Sequence, residues 1–268
     1  MKKTKQILAL VGAILLVAMY VSTLVFALTN NANAQAWFRG SIACTIFVPV
    51  LLFAINLVYQ HTKPKKSQSI DNIVFDVGNV LVDFDWKGYM ETLGFSDAVI
   101  TDLSNTLMSD PLWNEFDRNT RPYDDIVEEF CQKYPEHAEE MRIFTHSVEK
   151  TIHCLPFTHT WLQDLKRKGY KLYILSNWSQ QTYERSPEEL SFEHYMDGAI
   201  WSFKVKTIKP EKGIYQKLID TYHLDPSRTV YLDDRQENLD GAKPFGFQTL
   251  LVTDHKTTLA KLAAVDVK

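Results

Sequence analysis

The chain is poor in the residues that carry several familiar chemistries. Only three of its 268 residues are cysteine, Cys44, Cys131 and Cys154. None has CxxC-like spacing, so the sequence builds in neither a structural zinc site nor a disulfide framework, and a reducing compartment fits best. No HExxH, GxSxG, GxxxxGK[ST] or GxGxxG occurs. Zinc-protease, nucleophile-elbow, P-loop and dinucleotide-binding readings are thereby set aside. Glycine and proline are few, ten of each, and 45% of residues are hydrophobic, a globular composition. Acidic residues are absent from residues 1–62, which hold four basic groups, Lys2, Lys3, Lys5 and Arg39. Residues 63–268 therefore carry all 33 acids against 25 basic residues, a formal charge of −8. No nucleic-acid partner is expected for so acidic a region, since that role needs a basic face.

The acid-free segment contains two long apolar runs, residues 7–28 and 36–59, the second carrying only Arg39 near one end. Each is long enough to cover ~30 Å of hydrocarbon at ~1.5 Å rise per residue. The spacer TNNANAQ is too short for a domain, so residues 1–62 are expected to form a two-helix transmembrane hairpin. A cleaved signal peptide competes, because KKTK precedes an apolar run, but that run exceeds a typical h-region and a second follows at once. Lysines flank both spans on one side (Lys2, Lys3 and Lys5; Lys63, Lys65 and Lys66). This places the N-terminus and the C-terminal region in the cytoplasm, at the cell membrane. Residues 63–70 read as a polar linker.

From residue 71 strand and helix alternate. Apolar runs that end in polar residues occur at NIVFDV (72–77), KLYILSN (171–177), GAIWS (198–202), TVYLDD (229–234) and QTLLVT (248–253). Most are near-continuous, as for parallel strands covered on both faces. Helical stretches lie between them at 158–169, 213–223 and 237–246, with Gly169 and Gly246 where C-terminal glycines belong. The expected fold class is α/β, a doubly wound Rossmann-like parallel sheet over 71–85 and 156–268. Residues 86–155 show amphipathic helical runs and no convincing strand. They are too long for a connection and read as a helical cap over a site.

The polar residues at the strand ends are Asp76, Ser176-Asn177 and Asp233-Asp234, with Lys209-Pro210 on a loop between. In a parallel sheet these ends converge on one crevice. The acids suit Mg²⁺, a hard cation that prefers oxygen. Ser176, Asn177 and Lys209 suit phosphoryl oxygens. Each piece alone has a duller reading as a cap or turn, but four in one order do not.

That order, FDVGNVL, LSN, KPEKGIY and LDDRQEN, resembles the haloacid dehalogenase (HAD) superfamily over about residues 71–253, and especially its glucose-1-phosphate phosphatase branch. The resemblance implies an Mg²⁺-dependent phosphatase acting on a small phosphorylated metabolite through an aspartyl-phosphate. In it Asp76 is the nucleophile, Ser176 and Asn177 contact phosphate, and Lys209 is the motif lysine. Asp76, Asp233, Asp234 and the Gly78 carbonyl form the metal set, with Asp234 the more direct acidic ligand. Asn238 matches a polar position after the acidic pair. Gly78 departs from the pattern, because most phosphatases of the superfamily carry an acid there that protonates the leaving group. The glucose-1-phosphate branch tolerates glycine, which points to a good leaving group such as a sugar 1-phosphate. Asp83 and Asp85 are nearby substitutes, although surface acids are the blander reading. Trp113, Phe116, Trp178 and Tyr183 are candidates to line the pocket. Dehalogenation and a catalytically weak, membrane-tethered phosphate- or partner-binding module are the alternatives.

Overall fold

The computed structural model describes residues 69–107 and 109–267, together with scattered helical positions between 17 and 54. The chain divides into two compact units, Met1–Lys66 and Ser67–Lys268. The two spans expected at 7–28 and 36–59 fall largely outside the described residues. Among the described residues no helix is long and apolar enough to cross a membrane, so the fold lends the hairpin no support.

The second unit is built on five parallel strands in the order β5-β4-β1-β6-β7. They are β1 (Asn72–Phe75), β4 (Lys171–Ser176), β5 (Gly198–Trp201), β6 (Thr229–Asp233) and β7 (Gln248–Leu251). β1 is central, with Ile73 in register with Leu172 on one side and Val230 on the other. Successive side chains on a strand face opposite ways, and the packing follows that period. Ile73, Phe75, Leu172, Ile174 and Leu232 belong to one core layer with Trp161 and Leu162. Val74, Tyr173, Leu175 and Tyr231 belong to the other, with Ile214 and Leu218. Covering helices therefore lie on both faces: α6 (Thr158–Arg167) and α11 (His255–Ala264) on the first, α9 (Lys212–Tyr222) and α10 (Gln236–Ala242) on the second. Gly169 (φ 91°) and Gly246 (φ 95°) take the left-handed conformation just after α6 and after the turn that extends α10. That conformation is nearly free only to glycine.

Between β1 and α6 lies the helical insertion: α1 (Trp86–Thr92), α2 (Asp97–Thr106), α3 (Trp113–Arg118), α4 (Tyr123–Lys133) and α5 (Ala138–Thr145). Met90, Leu103, Phe116, Phe130, Met141 and Phe144 form a separate core there. The expectation of no strand between 86 and 155 is corrected. β3 (Ile152–Cys154) pairs antiparallel with β2 (Val82–Phe84), setting Val82 opposite Cys154 and Phe84 opposite Ile152. Three residues are too short a run for alternation to register, and only one of the three in each strand is buried. The ribbon holds the two chain crossings between sheet and insertion side by side. Two further short helices, α7 (Gln180–Arg185) and α8 (Ser202–Val205), follow β4 and β5 directly.

Phe75 is fully buried and meets the Trp161 ring edge-on at 5.2 Å. Phe75→Ala is expected to cost about 3–5 kcal/mol, whereas Leu259→Ala, at an exposed position on α11, should stay within about 0.5 kcal/mol. Urea unfolding followed by circular dichroism compares them, and equal costs would contradict the assignment of β1 as the central strand.

Candidate active site

The carboxyl end of β1 aims Asp76 out of the sheet, with its backbone N–H donating to the Leu232 carbonyl at 2.8 Å. One oxygen of Asp76, Oδ1, is held by three donors: the Val77 N–H (2.7 Å), the Ser176 hydroxyl (2.7 Å) and the Lys209 ammonium (2.8 Å). Its Oδ2 accepts no hydrogen bond from the described residues, so the carboxylate is fixed through one oxygen and open at the other. Lys209 is 3% exposed and bridges to Asp233 Oδ2, also at 2.8 Å. The Asp233 oxygens are further engaged by the Arg235 N–H (2.8 Å), the Asn238 amide (3.0 and 3.1 Å) and the Tyr231 hydroxyl. Asp233 therefore anchors Lys209, whereas Asp234 has one partner, the Asn79 amide at 2.9 Å. Asn177 clasps the lysine's backbone, donating to its carbonyl (3.0 Å) and accepting from its N–H (2.7 Å).

The structure thus brings Asp76, Gly78, Ser176, Asn177, Lys209, Asp234 and Asn238 to one cavity of about 650 Å³, with Asp233 directly behind. Of the four aromatic candidates, Trp113, Phe116 and Trp178 line it. Tyr183 instead packs on Trp201 and Phe203 and donates to Glu193. Asp83 and Asp85 are surface acids: Asp83 accepts from the Phe84 N–H, and Asp85 caps α1 through the Gly88 N–H. Among the lining residues that the sequence reading did not single out, two bear on the chemistry. Asn79 takes a left-handed turn (φ 56°) that brings its amide to Asp234. Asp117, on α3, lines the cavity from the inserted helices. The asparagine after Gly78 is itself a turn signal, whereas Asp117 gives none.

Carboxylate oxygens of Asp76, Asp233 and Asp234 lie within 4.8 Å of one another, with one ammonium among them. Burial pushes Asp76 up to about 7; Lys209 opposes this, and repulsion from Asp233 and Asp234 adds to it. Burial pushes Asp233 up, but the lysine and three other donors outweigh it and hold the carboxyl below the usual range. The uncompensated negative charge and the all-oxygen donor set fit a hard divalent cation, so the residues present suit Mg²⁺.

Residues 96–252 match the family model described as haloacid dehalogenase-like hydrolase. The chain belongs to that family. Its relatives are varied. Bifunctional epoxide hydrolase 2 of Sus scrofa is 30% identical over 152 residues, 52% of this chain but only 27% of that protein. D-ribitol-5-phosphate phosphatase of Bacteroides thetaiotaomicron is 29% identical over 67% of this chain and 90% of its own. Among solved structures, a HAD-like hydrolase of Porphyromonas gingivalis superposes with TM-score 0.58 at 17% identity, covering 75% of this chain and 100% of that one. That likeness supports the fold.

The raised Asp76 carboxyl makes stability pH-dependent. Its unfolded value is 3.8 and its folded value about 7, so between these the native state binds the proton more tightly. Stability is then highest below about 4 and falls as pH rises towards 7. In EDTA, the urea midpoint should drop from pH 5 to pH 8, and Asp76→Asn should reduce that slope, the part that remains coming from Asp117, whose carboxyl burial also raises. An unchanged slope in the variant would refute the assignment.

Proposed function

We propose that the chain is an Mg²⁺-dependent phosphatase of a small phosphomonoester, working through an aspartyl-phosphate on Asp76. The observation that carries this reading is the cluster of Asp76, Asp233 and Asp234 around the single cation of Lys209. Dehalogenation on the same nucleophile would need no metal, and it leaves the acidic pair unexplained. The free Oδ2 of Asp76 attacks phosphorus, while the three donors on Oδ1 keep the carboxylate oriented. Asp233 holds Lys209 against the nucleophile, and Asn177 fixes the loop that carries the lysine. Asp76, Asp234 and the Gly78 carbonyl would hold the metal. When bound, Mg²⁺ would offset the repulsion between carboxylate and phosphoryl oxygens.

The phosphorylated metabolite is read as a sugar phosphate. The ribitol-phosphate relative supports that class, and a Bacteroides thetaiotaomicron HAD family enzyme with TM-score 0.52, in complex with magnesium and inorganic phosphate, supports the metal and the phosphoryl group. The narrower likeness to glucose-1-phosphate phosphatases, together with Gly78, points within it to 1-phosphates. Anchorage to the membrane by residues 1–62, with the catalytic region cytoplasmic, is part of the same reading. It rests on the acid-free apolar spans and their lysine flanks, and the described positions Leu28, Phe47 and Phe53 are helical and exposed. A tethered phosphate-binding module is the second reading, favoured only by the missing acid at Gly78.

Phosphate release should require Mg²⁺, stop in EDTA and fall by at least ~10³ in Asp76→Asn, since the reaction has no second nucleophile. A sugar 1-phosphate and 6-phosphate panel measures this. Phosphate binding without release by the folded chain would favour the module instead.

A further inference from the structure

The core lacks the acid that would protonate a leaving group, and a replacement must come from another element that reaches the same cavity. Four carboxylates outside the Asp76, Asp233 and Asp234 cluster come near. Asp83 and Asp85 are surface groups. Asp110 lines the cavity but is fully engaged, accepting from the Leu112 N–H (2.9 Å), Lys133 (2.5 Å) and Tyr134 (2.7 Å). These bonds hold its carboxyl below the usual range, and so ionised. Asp117 alone lines the cavity with a carboxyl that has no hydrogen-bonding partner among the described residues. An acid half out of water with no partner costs stability, and nothing in the packing of α3 repays it.

The position of Asp117 is nonetheless tightly fixed. Its backbone carbonyl accepts from the Ser202 hydroxyl at 2.8 Å, and the same Ser202 oxygen accepts from the Trp178 N–H at 2.9 Å. The next residue, Arg118, forks onto Glu211 with contacts of 3.0 and 2.7 Å. The Asn119 amide donates to Gln180 at 2.8 Å, and its carbonyl accepts from Lys206. Three consecutive cap residues are thus fastened to the sheet unit beside Ser176 and Lys209. The charges that bear on Asp117 are Lys209, Asp76 and Arg235. From α4, Tyr123 faces it with its hydroxyl donated to the Thr145 carbonyl. Lys204 of α8 lies over the Tyr183 ring instead.

Resting on the phosphatase reading above, we propose that Asp117 is the general acid and base of the reaction, supplied by the cap in place of a side chain at Gly78. As Asp76 Oδ2 bonds to phosphorus, the bond from phosphorus to the ester oxygen breaks. That oxygen takes the proton of the Asp117 carboxyl and leaves as an alcohol. The Asp117 carboxylate then takes a proton from a water whose oxygen attacks phosphorus. The Asp76 carboxylate is released, phosphate departs and Asp117 is again protonated. Burial pushes the Asp117 carboxyl up to about 7, so the protonated form is present near neutral pH, as the first step requires. An acid supplied this way extends the substrate class beyond activated 1-phosphates to alkyl esters such as sugar 6-phosphates.

The test uses the full chain with Mg²⁺ and a series of esters from p-nitrophenyl phosphate to a sugar 6-phosphate. The first step governs kcat/KM, and its dependence on the leaving group is the diagnostic. Asp117→Asn should lower kcat/KM for the 6-phosphate by ~10²–10⁴, the usual worth of a general acid, and for p-nitrophenyl phosphate by less than about tenfold. The wild-type 6-phosphate rate should fall as pH rises above about 7, and that limb should vanish in the variant. A Cβ at position 78 would meet no atom within 4 Å, so the first side-chain carbon of Gly78→Asp has room. In the Asp117→Asn background it should restore at least tenfold of the lost rate. Equal losses on all esters, or no loss, would overturn the inference while leaving the phosphatase reading intact. Failure of Gly78→Asp to rescue a folded double variant would also overturn it. A wild-type chain silent on every ester, with Asp76→Asn no different, would overturn both readings.

Discussion

The ammonium of Lys209, buried between two carboxylates, is the interaction on which the rest of the site depends. Removing a lysine from water is expensive unless its charge is met at close range, and here Asp76 and Asp233 meet it at 2.8 Å each. The three residues come from β1, the end of β6 and the loop before α9, elements separated in sequence and neighbours only in the parallel sheet. The sheet order β4-β1-β6 therefore has a chemical consequence. It lets Ser176, Asp76 and Asp233 reach one point from three adjacent strand ends. The division of labour follows from hydrogen-bond counts. Asp233 has every lone pair in use and can only support the lysine, while Asp76 and Asp234 keep oxygens to offer.

The same counting explains why one carboxyl of the central pair is pushed up and the other down. One lysine cannot neutralise three clustered acids, two of them buried. The charge settles where donors are most numerous, on Asp233, and Asp76 is left sharing an ammonium and facing Asp234. A divalent cation relieves that imbalance more directly than any side chain nearby, since Arg235 is exposed and paired with Glu237. On the proposed reading, a metal held here would in turn hold an anion, within a region whose overall charge of −8 would otherwise repel one.

Much of this was legible in the sequence, for a physical reason. Buried parallel strands must be apolar throughout, so five runs announced themselves, and a charged residue at the end of such a run has only the crevice to face. That logic located Asp76, Ser176 and the acidic pair without knowledge of their distances, whereas Lys209 lies on a loop and is marked by the resemblance of KPEKGIY to a family motif. It failed for the β2-β3 ribbon, whose strands of three residues are too short to carry a period. The pairing there is fixed by the chain crossing into the insertion, not by side chains. It held for the acids near Gly78, where the blander reading of surface groups is the right one: Asp83 and Asp85 are exposed, on the ribbon and at the α1 cap.

Asp117 marks the deeper limit. In the stretch PLWNEFDRN it is one polar residue of an amphipathic helix, indistinguishable from its neighbour Glu115, which pairs with Arg118. What sets it apart is tertiary. The turn of α3 that buries Phe116 in the insertion's own core brings residue 117 round to the cavity. The left-handed ending at Asn119 (φ 51°) then lets Arg118 and Asn119 fasten to the sheet unit. A core that omits an acid at Gly78 gains an open backbone position beside the nucleophile, and it makes protonation of the leaving group depend on an element held by the contacts of Asp117, Arg118 and Asn119 with the sheet unit. Chemistry and closure are then coupled by geometry alone. Undocking α3 would withdraw the acid and admit water in the same movement, so an aspartyl-phosphate exposed by an open cap would lack the base needed to direct that water onto phosphorus.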